Sequence, residues 1–465
     1  MYKRQDQARS TLEFEKDILD GLHWLGLAWD EGPEVAGEPA RGAFGPYRQS
    51  QRLPLYKAAA TRLLADGKAY HCYCTPEELE AERTRAEAGG GPLPHALRCT
   101  DPTAADRATN EAGERRPVIR FRIGEGVVAF DDVIRGHVEI STQALGGDFV
   151  IARADGSPLF HFTNVVDDIE MHISHVIRGE DHLSNVPKHI LLFRALGAQP
   201  PIFAHLPLIL NADRSKMSKR KSQTAIGDYR REGFIRETLV NYLALLGWSS
   251  GTAEELFGLD ELVARFELEA VNKAGAVFDR ERLEWLNGQW IRRLPTDELG
   301  RRLRPYLDAQ AAAGRFDRVP TDAEMRAIVP LVHERLPLLS AIGDLVAFLF
   351  VDEVRPDPAA LVPKRWDPAT AMDALGAARD AIEAIGAAGF EAEVLELRLR
   401  ALAESRGWKP GDLFMTVRVA VTGRTATPPI FDTLVALGIE RTLERLDRAR
   451  RLLAIDGVAP APTGR

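Results

Sequence analysis

The strongest constraint on this chain is a change of rhythm along it. Between residues 117 and 151 the runs VIRFRI, VVAFDDVIRGHVEI and FVIAR are rich in β-branched residues and separated by Gly and Asp turns, which is the pattern of short strands. FHFTNVVDD and HISHVIRGED read as two further strand-like runs. A helix is expected at about residues 186–196, with Pro187 in its first turn and Gly197 just past its end. LPLIL, residues 206–210, is the next strand. Strand, helix and strand in succession predict a parallel α/β sheet. After it the chain turns helical: RETLVNYLALLGW and FDRERLEWLNGQWIRRL carry helical periodicity, and from about residue 295 strand signals nearly vanish. The run LFMTVRVAVTG is ambiguous, because its β-branched content says strand and its surroundings say helix.

At 465 residues the chain has room for about three domains. With 45% hydrophobic and 28% charged residues, disordered, collagen-like and fibrous readings are excluded. No run approaches the ~20 apolar residues of a membrane helix, and the polar start MYKRQDQARS has no apolar core behind it, so a cytosolic chain without membrane contact is expected. Near its beginning, Ser10 and Glu13 stand at capping-box spacing, and Ile18, Leu19, Leu22 and Leu25 line one helical face before Gly26. A second helix is expected at about residues 50–64, ending at Gly67. The last clear helix, RTLERLDRARRLL, places Leu443, Leu446, Ala449 and Leu453 on one face.

The segment richest in chemistry is NADRSKMSKRKS, directly after LPLIL. Residues 211–236 hold eight basic and three acidic side chains, a local charge of +5 inside a chain of net −8. A negative total does not exclude nucleic acid, since phosphate responds to local patches. Lys216 and Lys219, three apart on a loop at a sheet's carboxyl edge, suit the charge that develops on a leaving pyrophosphate. A solvated basic loop is the plainer alternative.

Beyond these spacings the chain resembles a known family. KMSKR, residues 216–220, is similar to the second signature of the class I aminoacyl-tRNA synthetases. RSTLEFEKDILDGLHWLGLAWDEGP, AYHCYC, FDDVIRG, NVVDD, HVIRGEDHLSN, FDRERLEWLN, VRVAVTGR and PPIFDTLVALGIERTLERL resemble the bacterial glutamyl-tRNA synthetase branch, from about Arg9 to the last helix. The resemblance implies an α/β Rossmann-type catalytic core with a mixed α+β insertion, followed by an all-α anticodon-binding domain. The parts expected are 1–70 and 149–212 for the core, 71–148 for an insertion that grips the tRNA acceptor end, 213–294 for a helical junction carrying the lysine loop, and 295–465 for the anticodon-binding domain. It also implies ligation of L-glutamate to its tRNA through a glutamyl-adenylate, with ATP and Mg2+ and a monomeric enzyme. Lys216 and Lys219 would stabilise adenylation, with Met217, Ser218 and Arg220 beside them on the ATP phosphates. Glu180, Asp181 and His182 fall where the family contacts ATP or its ribose. Arg178 would pair with the substrate's side-chain carboxylate, with Asn164 near the same pocket. A planar guanidinium fork is also what physics would choose to tell glutamate from glutamine. For Arg178 the plainer alternative is a surface salt bridge at a strand end. Phe160 stands where the family usually has Tyr, so a hydroxyl worth about 0.5–1.5 kcal/mol as a hydrogen bond is missing.

The family opens with a strand, a His-x-Gly-His loop at a helix N-terminus and a second strand. Only eight residues precede Arg9, so the core is expected to be truncated by a βαβ-sized piece, on the order of 40 residues. Lys3 falls where the family carries an acidic residue for the substrate. His172-Ile173-Ser174-His175 is not a replacement, because it runs into a strand and no helix follows until about residue 186. On this ground a tRNA-binding remnant without ligase activity is the second reading. A short tRNA-modifying glutamyl transferase is a third, which the helical C-terminal third opposes.

All three cysteines lie in one segment, Cys72-x-Cys74 and then Cys99. Too few for a disulfide framework, they would with His95 supply the four ligands of a structural zinc. The resembling family often has Cys-x-Cys…Cys-x-His, and here Asp101 replaces that His. Three cysteines that merely pack are the alternative.

Overall fold

Buried apolar side chains recur every three or four residues along most of this protein, and the elements follow from that spacing. The computed structural model describes residues 12–34, 38–89, 99, 113, 116–217 and 225–456. It divides into two units, Met1–Gly227 with Leu239–Asp279, and Asp228–Thr238 with Arg280–Arg465.

In the first unit, α1 spans Leu12–Leu25 and α2 Leu53–Ala65. Among the described residues, Leu19 and Leu25 of α1 are buried while Ile18 is exposed. Ser10 lies outside the described residues. Strand β1 (Ala69–Cys72) follows, then α3 (Pro76–Gly89) and the strands β2 (Val118–Phe121), β3 (Val127–Asp132), β4 (Gly136–Ser141) and β5 (Phe149–Ala152). FHFTNVVDD, expected as a strand, is instead α4 (Phe160–Glu170). Its β-branched content misleads because burial decides: Phe162, Val165 and Val166 enter the core at helical spacing, and tertiary packing overrides propensity. Strand β6 (His175–Gly179), α5 (Val186–Ala195) and β7 (Ile202–Leu206) complete a strand–helix–strand unit. Pro187 opens α5, and Gly197 takes a φ of 71° just past its end.

Two sheets result. β1, β2 and β5 form an antiparallel sheet in the order β1-β2-β5, so FVIAR belongs here rather than to the parallel sheet. The other has the order β4-β3-β7-β6: β7 is parallel to both β3 and β6, and β4 closes the edge as an antiparallel hairpin with β3. The end of β3, within the stretch expected as the insertion, thus pairs with β7, Asp132 against Phe203. Two further strands, β8 (Ile209–Leu210) and β9 (Ala276–Val277), pair in parallel just before the lysine loop.

Helix α4 is pinned by a buried charge. Asp167 is fully buried and accepts from Arg52 Nε at 2.7 Å, Tyr56 Oη at 2.8 Å and Gln49 Nε2 at 3.0 Å. Arg52, itself 3% exposed, also donates to Pro46 O at 3.0 Å. With both oxygens of the carboxylate bonded, removal of either charged partner would strand a charge in the core, a loss of about 3–5 kcal/mol. This joins α2 to α4 above the apolar cluster of Leu63, Phe121, Ile151, Phe162 and Leu192.

The second unit is helical throughout its described residues from Arg280 onward. LFMTVRVAVTG falls within the helix Pro410–Thr422, which Pro410 opens and Gly423, at φ 71°, ends. Leu413, Val417 and Val421 are completely buried on one face, which resolves the ambiguity toward helix. In the last helix, Ile439–Asp456, Leu446, Ala449 and Leu453 are buried as the sequence pattern predicts. Arg445, 3% exposed, donates to Val421 O at 2.7 Å and to Val351 O at 2.8 Å, the latter shared with Arg441 Nη2, so that these carbonyls are paired inside the protein. Among the described residues no helix is long and apolar enough to cross a membrane.

Candidate active site

In an open parallel sheet the carboxyl ends of the strands are where ligands gather. Here the ends of β6 and β7 carry Arg178 and His205, paired across the two strands in register. Arg178 Nε donates to His205 Nε2 at 3.2 Å, and Nη2 donates to His182 O at 3.2 Å. Burial pushes its guanidinium below the ordinary arginine value, opposed by the charges of Asp168 and Asp181. A half-buried arginine at this edge, bonded to no carboxylate among the described residues, is unlike the surface salt bridge that a strand-end arginine usually makes.

The other expected residues fall around it. The turn after β6, Glu180–Asn185, bonds back through Asn185 Nδ2 to His182 Nδ1 at 3.1 Å. The ring of Phe160, at the start of α4, lies 5.8 Å from that of His182, and Asn164 follows one turn along the same helix. Phe160, Arg178 and His182 therefore form one group. Glu180 turns elsewhere: it accepts from Leu208 N at 3.1 Å and pairs with Arg135 at 2.5 Å, bracing β7's exit.

The lysine loop begins as a tight turn. Asn211 N donates to Ser215 O at 2.8 Å, Ser215 N to Asp213 Oδ1 at 2.8 Å, and Arg214 takes a positive φ of 61°. Met217 N then returns to Ile209 O at 3.0 Å. The turn delivers Lys216 to Asp181, Nζ to Oδ2 at 2.8 Å, and this hydrogen bond holds the Asp181 carboxyl below its ordinary range. So Lys216 meets the segment that carries Arg178. Ser218, Lys219, Arg220 and His95 lie outside the described residues.

Comparison with known proteins decides the family. Residues 4–285 match the tRNA synthetases class I (E and Q), catalytic domain, and residues 298–450 match an anticodon binding domain. The chain belongs to the class I tRNA synthetases of this E and Q group. A glutamate–tRNA ligase of Dehalococcoides mccartyi is 42% identical over 448 residues, which is 96% of this chain and 88% of that protein. One of Acidothermus cellulolyticus is 42% identical over 99% of this chain and 90% of its own length. Among solved structures, a glutamate tRNA ligase from Elizabethkingia meningosepticum, crystallised in complex with its amino acid, superposes with a TM-score of 0.84 at 30% identity, covering 97% of this chain and 92% of that one.

The synthetase's cysteines converge. The sulfurs of Cys72, Cys74 and Cys99 all lie within 4.8 Å of one another, Cys74 and Cys99 at 3.4 Å, and none is in a disulfide. Zinc with Zn–S of about 2.3 Å sets tetrahedral sulfurs roughly 3.7 Å apart, so the cluster fits that ion. Burial, helped by the contact with Cys99, pushes the Cys74 thiol up to about 12, which is the state a cation would reverse.

Four residues near the site were not singled out in the sequence. His205 and Asp132 surround Arg178 from behind: both side chains are fully buried, with His205 Nδ1 2.6 Å from Asp132 Oδ2. For His205 the sequence sign is a polar residue inside the apolar strand IFAHL, and Asp132 lies within FDDVIRG, one of the segments that resemble the family. His161 and His189, on α4 and α5, stand 3.1 Å apart through Nδ1 and Nε2. Burial, then the nearby charges of Lys188, Arg178 and His182, push His161 down to about 4. Its folded pKa lies below the unfolded ~6.5, so the stability it contributes is complete above pH ~6.5 and is lost as pH falls toward 4. The synthetase should lose on the order of 1–2 kcal/mol from this group between pH 7 and pH 5. Thermal midpoints measured across that range should fall less steeply for His161→Gln than for the parent; identical slopes would contradict the assignment.

Proposed function

We propose that this synthetase ligates L-glutamate to its tRNA in two steps, using ATP with Mg2+. In the first, the α-carboxylate oxygen of glutamate attacks the α-phosphorus of ATP, and the bond to the leaving pyrophosphate breaks. In the second, a terminal ribose hydroxyl of the tRNA attacks the glutamyl carbonyl, AMP leaves, and the hydroxyl proton passes to solvent. The observation that carries the reading is the convergence at the carboxyl edge of β6 and β7, where the Arg178 guanidinium and the Lys216–Asp181 pair lie on adjoining segments. Arg178 reads the substrate's side-chain carboxylate, with Asn164 and the ring of Phe160 completing the amino-acid pocket. A guanidinium makes two charged hydrogen bonds to a carboxylate, and glutamine's amide, with one acceptor, forfeits one of them.

Lys216 and Lys219 act on the ATP phosphates, with Met217, Ser218 and Arg220 shaping the loop. In the resting state Asp181 holds Lys216; ATP phosphates, carrying more charge, draw it away. Asp181 and His182 then face the nucleotide, while Glu180 acts one step removed, by fixing Arg135 and the exit of β7. Residues 71–148 grip the acceptor end, and the helical unit reads the anticodon arm, mostly through phosphate and sugar. The enzyme works in the cytoplasm, where translation consumes its product. Relatives named as glutamate–tRNA ligases over nearly the whole chain support this reading over an inactive remnant, and the anticodon-binding match speaks against a short modifying transferase.

Cys72, Cys74 and Cys99 hold a structural zinc, with His95 as the fourth ligand. The metal would fix the insertion and takes no part in the reaction. Protein purified without chelators should carry stoichiometric zinc by atomic emission, and Cys99→Ser should lose it; zinc-free parent protein would remove the site.

The ligase reading is tested by charging tRNA with labelled glutamate in the presence of ATP. Arg178→Gln should raise the KM for glutamate by at least about tenfold, as expected for loss of a charged hydrogen-bonded pair, with the KM for ATP little changed. Unchanged glutamate KM would remove Arg178 from the pocket.

A further inference from the structure

Arg178 can read a carboxylate only if its own orientation is fixed, and the side chains behind it are arranged to do that. A guanidinium has five N–H donors, and it can grip a carboxylate side-on through Nε and one Nη, or end-on through both Nη atoms. Nε is already committed to His205 Nε2 at 3.2 Å, and one N–H of Nη2 to His182 O at 3.2 Å. With Nε filled by the protein a side-on grip is blocked, and among the described residues three donors are left, two on Nη1 and one on Nη2, enough for an end-on grip through one N–H of each Nη.

The bond from Nε requires His205 to present a lone pair, and Asp132 decides that it does. Asp132 Oδ1 accepts three backbone N–H groups, from Ile134 at 3.1 Å, Arg135 at 2.9 Å and His205 at 3.2 Å. Oδ2 faces His205 Nδ1 at 2.6 Å. A carboxylate bonded in this way can only accept, so the imidazole proton sits on Nδ1 and Nε2 is bare. Burial alone would raise the Asp132 carboxyl; the bonds from His205 and the three backbone donors hold it below its ordinary range. Burial pushes His205 down, its bond with Asp132 opposes this, and the Arg178 charge adds to the lowering, in keeping with a ring whose Nε2 accepts from Arg178.

We propose that His205 and Asp132 are positioning residues for the synthetase's amino-acid specificity, a relay in which Asp132 sets the His205 tautomer and His205 locks Arg178 for end-on reading of the substrate's carboxylate. This rests on Arg178 being the glutamate ligand. The strands supply the register: Arg178 and His205 pair directly across β6 and β7, and Asp132 ends β3, which runs parallel to β7. Neither residue touches the substrate; both act through Arg178.

Asp132→Asn separates this role from a merely structural one. Its oxygen stays on the three backbone donors, so its NH2 faces His205, takes the Nδ1 lone pair and forces the proton onto Nε2, against Arg178. Shape is kept and polarity reversed. The glutamate KM should rise about tenfold or more, the KM for ATP should stay within about twofold, and discrimination against glutamine should weaken. His205→Leu should do the same, while His205→Gln, whose amide oxygen can accept from Nε, should recover most of the loss. Added to Arg178→Gln, Asp132→Asn should cost nothing further. A raised glutamate KM in Arg178→Gln with parental values in Asp132→Asn and His205→Leu would overturn the relay alone. Parental values in Arg178→Gln as well would overturn the ligand assignment and the relay with it. One readout needs no variant: nitrogen NMR of the ¹⁵N-histidine-labelled parent enzyme should show His205 protonated on Nδ1, and protonation on Nε2 would contradict the proposal even if every variant failed to fold.

Discussion

A guanidinium held half out of water at the end of a parallel strand pair is the feature on which the rest of this enzyme's site depends. Desolvating a cation is costly, and the fold offsets it without neutralising it. His205 and the His182 carbonyl take two of the donors, and Asp168 and Asp181 lend charge from a distance. Among the described residues no carboxylate bonds to Arg178, so its positive charge has no direct counter-charge there. A site with an unfilled charge and a fixed edge is a recognition device: a ligand that brings a carboxylate completes it, and one that does not leaves a desolvated cation unpaired.

The surrounding scaffold serves the same end. The helix that carries Phe160 and Asn164 is anchored by Asp167, whose bonds to Arg52, Tyr56 and Gln49 tie it to Leu53–Ala65 and the residues just before. The turn that carries Asp181 and His182 is braced by Glu180 on Arg135 and Leu208 N. Polar networks of this kind favour one arrangement, and they concentrate where a ligand must meet fixed groups. The lysine loop is built differently. Its first residues close a tight turn, and Lys216 rests on an exposed carboxylate, an interaction weak enough for phosphate to displace.

What could be read from the amino-acid order, and what could not, divides along physical lines. Lys216 and the cysteines were singled out by residue type and spacing in contiguous segments, and Arg178 through its segment's resemblance to a known family; that the three sulfurs meet and that Lys216 reaches Asp181 is what the structure adds. The helical second unit was visible because its apolar residues recur at helical spacing with few competing signals. FHFTNVVDD misled, since β-branched residues say strand until the burial of Asp167 and its partners is known. The partner of FVIAR, which is Val118–Phe121, could not be read, because pairing partners leave no local trace. His205 and Asp132 were invisible for the same reason: their role exists only in the register of strands separated by 73 residues.

The account's central claim is that the pocket recognises a side-chain carboxylate. The most direct measurement is calorimetric titration of the enzyme with two non-hydrolysable aminoacyl-adenylate analogues that differ only in carrying glutamate or glutamine. The account predicts that the glutamyl analogue binds at least about tenfold tighter, as two charged hydrogen bonds to Arg178 require. Equal affinity for the two would contradict it.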